Sequence, residues 1–467
     1  MKNLIIIIAS FLFSILFYDR AIGLNLSIFS LVTIVFLVIY NPDTFKNKTI
    51  LLQTFAYVLS AIFVFINHSS LAIIANCAAF FTLVGAVSQS STSIYVQWFN
   101  GIYTSIAGFF HRNFDVNDEA KRVDFKKYID YLHMAKLIGI PLVFITLFIL
   151  LYKNGNPIFN DLVSKIDFNF INIQWFLFTI LGYYLYSNIS KPVQVEPATS
   201  IDLKTGNELY QSNDFSEEKL KKEKQLGTTL LGFLNLLLVF YIVTDLLSMS
   251  SIKTTVASEL SNHVHGGINT LIASIIIAIG IILYFFRGDL NFYTKNKTLK
   301  NITFSWIALN IVLIILIAFK NQIYITSFGL TYKRIGVHIY ILLTLIGLIT
   351  TILKVIKIKN LTFLFRRNTQ VTFVVLIICS MINWDSHITK YNLTKAKAFD
   401  IDYLINLSNR NAIMLNELKE DLTISQENKN RISTKYRSHM KDLSQRNWQE
   451  WNYELIANLD KFDKTKN

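Results

Sequence analysis

The sequence predicts an all-α protein: a polytopic transmembrane helix bundle of about eleven spans with a small helical C-terminal tail outside the membrane. Three observations lead there. Residues of the set AVILMFWYC make up 52% of the chain and DEKR only 16%, against roughly 25% charged residues in soluble domains. The mean hydropathy is +0.40. The apolar residues are also gathered into runs close to the ~20 residues that span a bilayer's hydrocarbon, parted by turn-forming stretches such as Asn41-Pro42-Asp43 and Asn154-Gly155-Asn156-Pro157. A 467-residue chain with 37 Phe and so few charges cannot hide its apolar surface in one water-soluble core, so lipid must solvate much of it.

Taken in order, the expected spans lie near 3–18, 23–40, 50–66, 71–88, 137–152, 172–187, 228–248, 268–286, 302–319, 336–353 and 369–384. The first resembles a signal peptide, with Lys2 ahead of an apolar run and Ala21-Ile22-Gly23 as a small-x-small site. Asp19 and Arg20 stand just before that site and Leu24 opens the next apolar run, which favours a retained span. In 92–111, Ile94, Trp98, Ile102 and Ile106 recur every four residues, while Gln97, Asn100, Thr104 and Ser105 fill much of the remaining surface. Such a stripe fits a helix lying in the interface rather than crossing it. The chain therefore divides into a transmembrane bundle over 1–385, interrupted by an interfacial helix and cytoplasmic loop (92–135) and a second cytoplasmic loop (188–227). An extracytoplasmic helical tail follows over 386–467. Within the second loop, Glu218 and Lys222 form an i,i+4 pair in the favourable order, predicting a short solvated helix that runs into the next span. In the tail, Asp400 to Leu407, Ala412 to Leu422, and a face with Trp448, Trp451, Leu455 and Leu459 read as three amphipathic helices.

Charge sets the orientation. The formal charge is +14, from 45 Lys+Arg and 31 Asp+Glu. With eleven spans, the segments on the N-terminal side hold 24 of the basic residues, the opposite loops 7 and the tail 14. That bias satisfies the positive-inside rule with a cytoplasmic N-terminus and an extracytoplasmic C-terminus. The excess charge is thus an orientation signal, and no nucleic-acid partner is implied. The partners expected are the lipid bilayer and an envelope protein or lipid met through the tail. The localisation expected is the cytoplasmic membrane.

Three outward segments carry the residues with chemistry: Glu259 to Asn269, Tyr324 to Arg334, and Asn383 to Leu393. From them come Glu259, His263, His265, Asn269, Tyr324, Thr331, Arg334, Asp385, His387 and Tyr391 as candidates for an outer-face site. Asp245 joins them from one turn inside a span, where an acidic residue needs a partner; Arg334 or a histidine of the same face is expected. His263 and His265 are weak candidates for a metal, because His-x-His brings both rings together only on a strand or bent loop. No metal and no cofactor is expected. Gly329-Leu330-Thr331 reads as a tight turn with Thr331 capping the next helix and Lys333 and Arg334 anchoring at headgroups. The alternative there is anion binding at the helix N-terminus. Asn76, Asn235 and Asn310 lie within spans and are expected to bond between helices. Cys77 and Cys379 read as small buried hydrophobes. No phosphate loop, nucleophile elbow or His-Glu-x-x-His motif is present, and Asp19 sits on too short a loop for an active site, so catalysis is not expected.

The same segments resemble a family of bacterial multi-spanning membrane proteins catalogued only as a domain of unknown function, of the 4153/4173 type. The resemblance rests on Ser261 to Leu271, on Tyr324 to Arg334 with its Phe-Gly-Leu-Thr-Tyr-Lys-Arg, on Asn383 to Ser408 with its Asn-Trp-Asp-Ser-His, and on Trp448-Gln-Glu-Trp-Asn452. It covers the chain from about 220 onward and implies an integral bacterial membrane protein without an assigned activity. Family members carry Arg near position 265, which argues against a metal role for His265. The expected role is an envelope-facing binding, sensing or scaffold protein; the alternative is a transporter or flippase for a small molecule or lipid-linked substrate, and a membrane-embedded transferase comes third.

Overall fold

Helices begin where an Asn, Ser, Thr or Asp stands just ahead of a helix-forming run and offers a side-chain oxygen to the first free N–H groups. In the computed structural model, Asn47, Ser69, Thr331, Asn360, Asn383, Asp400, Ser425 and Asn452 all cap helices in this way. The structure describes residues 2–114, scattered positions between 140 and 159, 173–212, 216–251 and 257–458; the side chains of 248–270 are not described. Among the described residues it is helical, with no strand.

The first group of helices comprises α1 (Lys2–Phe17), α2 (Leu24–Tyr40), α3 (Lys48–Asn67), α4 (Ser70–Ser88), α5 (Ile94–Phe114) and α6 (Ile173–Ser190). After a short α7 (Ala198–Lys204) come α8 (Glu217–Ser251), α9 (Ala257–Phe285), α10 (Lys297–Phe328), α11 (Tyr332–Ile356) and α12 (Leu361–Ser380). The tail holds α13 (Trp384–Thr394), α14 (Ile401–Asn406), α15 (Ala412–Leu418), α16 (Gln426–Ser444) and α17 (Tyr453–Ala457). Among the described residues, six helices are long and apolar enough to cross a membrane, namely α3, α4, α8, α10, α11 and α12. α1, α2 and the last half of α9 are apolar but shorter. Helices thus occupy ten of the eleven expected spans, and most of 137–152 falls outside the described residues.

Hydrogen bonds fix which way each helix runs. At one end, the tail end, Ala21 N–H donates to Glu450 (2.8 Å), Asn67 Nδ2 donates to the Ser380 carbonyl (2.8 Å), and Lys397 N–H donates to the Thr326 carbonyl (3.0 Å). At the far end, Asn41 reaches the Ser190 carbonyl (3.2 Å), Gln194 reaches Ser88 (2.9 Å), and Asn360 N–H reaches Asn207 (3.1 Å). α1, α3, α8, α10 and α12 therefore run toward the tail end, and α2, α4, α6, α9 and α11 run away from it. The start of α1 and the tail lie at opposite ends of the bundle.

α5 does not follow this alternation. It crosses α4 where two glycines let the backbones touch; a Cβ on Gly85 would lie 1.8 Å from the Gln97 carbonyl oxygen. Its start is held at the far end by Asp202, which accepts from Ser93 N–H and Oγ (both 2.8 Å). Its last turn is held at the same end, where Arg112 donates to the carbonyls of Ser187, Asn188 and Lys191. Its polar face is buried: Asn100 and Thr104 bond to residues 193–199, while Ile102, Ile106, Phe109 and Phe110 are exposed.

Two apolar cores result. One joins α1–α4 and α6, with Phe373 and Ile377 of α12; the other joins α8–α11. α12 packs on α11 and also on α3, α4 and α5, and so forms the seam between the groups. Outside these cores, Leu52, Phe233, Leu236 and Phe240 are each more than 60% exposed. An apolar exterior of that extent belongs in lipid. At 1.5 Å per residue, the 35-residue α8 is ~52 Å long, well beyond the ~30 Å hydrocarbon core. Its first turns extend outside as the expected solvated helix, with Glu218 and Lys222 paired at 2.7 Å.

Some expectations are corrected. Cys77 is exposed and Cys379 half-buried, because both face outward from apolar helices. Asn76 bonds between helices to Ser30 and Ser60, and Asn235 reaches Ile302, but Asn310 donates only within its own helix, to Trp306. The residues around Trp448 form no continuous helix. Asn447 and Asn452 each cap a new turn, breaking the chain between Trp448–Glu450 and α17.

Candidate functional site

The richest polar cluster lies under the tail. Asn383 caps α13 and sets Asp385 in its first turn, fully buried. The carboxylate accepts from Tyr332 Oη at 2.5 Å, from Ser408 Oγ, and from Arg410 through Nε (2.9 Å) and Nη2 (2.8 Å). Arg410 also reaches the Asn67 carbonyl at the α3–α4 turn (3.5 Å). One buried charge thereby joins α11, α13 and the segment between α14 and α15, and its partner touches the first helix group.

The turn before α11 is built around it. Gly329 has φ 82, and a Cβ there would meet Asn392 at 2.6 Å. Asn392 holds the turn from below, accepting from Leu330 N–H and donating to its carbonyl (3.0 Å). Thr331 accepts from Arg334 N–H at 3.3 Å, and Tyr332 N–H donates to Tyr403 Oη at 3.0 Å. Burial first, and then the Asp385 charge, push the Tyr403 hydroxyl above its usual range, so it stays neutral and can accept that bond. Arg334 folds inward. It donates to the Phe328 and Gly329 carbonyls and lies 4.0 Å from the Tyr324 ring centre. This corrects the expected headgroup anchor: Arg334 is buried, and its guanidinium caps the carbonyls that end α10 and stacks on Tyr324.

Of the expected site residues, Thr331, Arg334, Asp385 and Tyr391 therefore gather around a third, small core at the tail end, and Tyr324, in the α8–α11 core, meets them through Arg334. His387 stands outside the network, exposed, with its ring 6.2 Å from Trp384. Arg334 is turned to other partners, and the side chains of His263 and His265 lie outside the described residues, so the expected histidine pairing of Asp245 falls outside them too. Asp245 pairs with Lys320 on α10, which runs beside α8 in the same direction. Glu259, His263, His265 and Asn269 lie on α9, not on the expected loop, and their side chains are outside the described residues. Among the described residues, no group of three His, Cys, Asp or Glu could hold a metal.

A second buried carboxylate, which composition and motif did not single out, sits at the far end. Asp202 on α7 accepts from Ser93, from Tyr95 Oη (3.0 Å) and from Arg366 Nη2 (3.1 Å). Burial alone would raise its pKa. The bonds from Ser93, Tyr95 and Arg366 outweigh that and hold it below the ordinary carboxylate range. Arg366 also donates to Asn207 and to the Asp202 and Thr205 carbonyls. The first part of the expected cytoplasmic loop, as far as Asn207, is thus an ordered strap linking α5 to α12. The sequence signal for it was slight: an Asp five residues beyond Pro197 and an Arg one turn into α12.

Both clusters are saturated: the oxygens of Asp202 and Asp385 already hold several donors, so their chemistry is to fasten elements together rather than to receive a substrate. Fold and clusters together define a class, a helical protein with apolar, membrane-type helices tied at both ends by buried ion pairs. A family model matches residues 7–418, and the chain belongs to the family described as "Domain of unknown function (DUF4153)". The match begins far before residue 220 and stops short of Trp448-Gln-Glu-Trp-Asn452. No curated protein and no solved structure matches the chain.

Proposed function

We propose that the chain is a multi-pass protein of the bacterial cytoplasmic membrane with eleven spans and a cytoplasmic N-terminus, whose folded tail serves as an envelope-facing binding, sensing or scaffold surface. The observation that carries this reading is the seating of the tail. It is bonded to the α1–α2, α3–α4 and α10–α11 turns and clamped through Asp385. A tail held at so many points is a rigid platform suited to recognition. The span count is supported by the ends of the helices: α5 ends at the far end and α6 starts at the tail end, so an odd number of crossings must lie between them. The charge bias supplies the orientation.

The test is labelling of single cysteines with a membrane-impermeant maleimide in a Cys77→Ser/Cys379→Ser background. Glu427→Cys on the tail should label in intact spheroplasts, and Lys46→Cys at the far end only after permeabilisation. The reverse pattern would overturn the orientation. Photo-crosslinkers at Tyr453 should then trap an envelope component, and none should be trapped from Lys46. The Asp245–Lys320 pair, buried among apolar helices, favours transport as the second reading. Asp245→Asn with Lys320→Met would abolish transport but leave a tail-borne binding role intact.

A further inference from the structure

The seam between the helix groups contains an open groove of about 510 Å³, within the usual ~300–1,000 Å³ of small-ligand sites. Its walls are α3, α5 and α12, and exposed side chains such as Leu52 and Val374 form its lips. It is amphipathic along the bundle axis. Toward the far end its lining is Thr49, Gln53, Thr92 and Gln97; toward the tail end it is Leu59, Phe373 and Ile377. That order matches a lipid of the far-end leaflet, polar at the interface and apolar toward the midplane.

Two further features narrow the occupant. Gln97 Nε2 donates to the Thr92 carbonyl (2.8 Å), so its oxygen must accept from Gln53 Nε2 (2.6 Å). The chain of bonds leaves Gln53 Oε1 buried with no partner among the described residues, which is unfavourable unless a donor arrives. Two exposed cations flank the polar end. Lys48 adjoins Thr49, and Arg367 donates to Gln370 on the groove wall (3.1 Å). Neither pairs with a carboxylate among the described residues. An acceptor wanting a hydroxyl, two cations wanting a phosphate and an apolar channel wanting a chain describe one ligand.

We propose that this groove binds an anionic phospholipid whose headgroup carries hydroxyls. One acyl chain lies between Leu59 and Phe373, the phosphate sits near Lys48 and Arg367, and a hydroxyl turns toward Gln53 with a small rotation of that side chain. The proposal rests on the reading of the chain as a membrane protein but not on its orientation, so inverted labelling would overturn the topology and leave the site standing. The test is native mass spectrometry of the full-length protein in mild detergent, with phosphatidylglycerol and phosphatidylcholine of matched chains added in equal amounts. The expected result is one tightly retained lipid, with phosphatidylglycerol preferred about tenfold. Ala56→Phe, which fills the groove, should abolish retention, whereas Leu51→Phe on the exposed face of the same helix should not. Lys48→Gln/Arg367→Gln, a surface change that spares packing, should remove the preference while leaving retention. Equal retention of both lipids by the parent, or equal retention by the Ala56→Phe and Leu51→Phe variants, overturns the proposal.

Discussion

Replacing Arg410 with Met should loosen the tail far more than the loss of a surface charge. Exposed ion pairs are worth ~0–1 kcal/mol, but the Asp385 side chain is 1% exposed and that of Arg410 17%. Removing one partner of a buried pair costs ~3–5 kcal/mol, because the other charge is left behind. Asp385 would keep the hydroxyls of Tyr332 and Ser408, which places the expected loss at the lower bound, about 3 kcal/mol, or ~150-fold in the opening equilibrium of the tail. Hydrogen exchange of the protein in nanodiscs reads this directly. Amides over 384–458 should exchange ~150-fold faster in Arg410→Met if local opening governs them, while α8–α10 keep their rates. Asp385→Asn combined with Arg410→Met should recover much of the loss, since no unpaired charge remains. Unchanged exchange in Arg410→Met, or a double variant as damaged as the sum of the singles, would refute the clamp.

Three further outcomes follow from the same geometry. Gly85→Ala should cost ~1–3 kcal/mol or more by forcing α4 and α5 apart, seen as a lower Tm in detergent, whereas Gly280→Ala, which meets nothing within 4 Å, should not. His68, in the α3–α4 turn beneath the tail, has its pKa lowered, chiefly by burial and further by the Arg446 and Arg410 charges, against the Ile22 carbonyl and Glu454. Its folded pKa lies below the unfolded ~6.5, so its contribution is complete above that pH and is lost as pH falls toward the folded value; His68→Gln should flatten the decline in stability on acidification below pH 6.5. Asp202→Asn and Arg366→Gln should each release the strap by ~3 kcal/mol, and the two together by little more than either alone, measured as protease cleavage over 191–212.

The helices in the bundle were legible because, in lipid, an apolar run has to be a helix to satisfy its backbone. The stripe of α5, the helix start at Asp400 and the capping Thr331 were legible for equally local reasons. α16 was less so: its stripe of Ile432, Tyr436, His439, Met440 and Leu443 has helical spacing but only three strongly apolar members among 19 residues, so it is easily passed over. Partners of buried charges were the least legible. Asp385 and Arg410 are 25 residues apart, and Asp245 and Lys320 are 75 apart, and neither separation carries a period. Arg334 was misplaced for a related reason. A cation at a helix start looks like a headgroup anchor until the preceding helix ends, at Phe328 and Gly329, with carbonyls aimed at it.

Two of the buried carboxylates, Asp385 and Asp202, have complementary positions. Asp385 and Arg410 bind the start of α11 and the tail to the α3–α4 turn at one end; Asp202 and Arg366 bind α5 and the strap to α12 at the other. Between these fastenings the helix groups meet through α12, and there the α3–α5–α12 groove opens. If a seam tied at both ends and open along its length yields at all, the separation of α12 from α3 and α5 is the coordinate left unfastened. A bound lipid chain would set that separation. The tail, bonded to both groups, would register it, because α12 ends at Ser380, where Asn67 holds it, one short turn from Asp385. Filling the groove with Ala56→Phe should therefore alter hydrogen exchange around Asp385 and Ser408 at a distance, and Arg410→Met should weaken phosphatidylglycerol retention by the same factor by which the lipid slows exchange in the tail, as reciprocity of coupling requires. Lipid retention and tail exchange that vary independently across these variants would show the seam to be rigid.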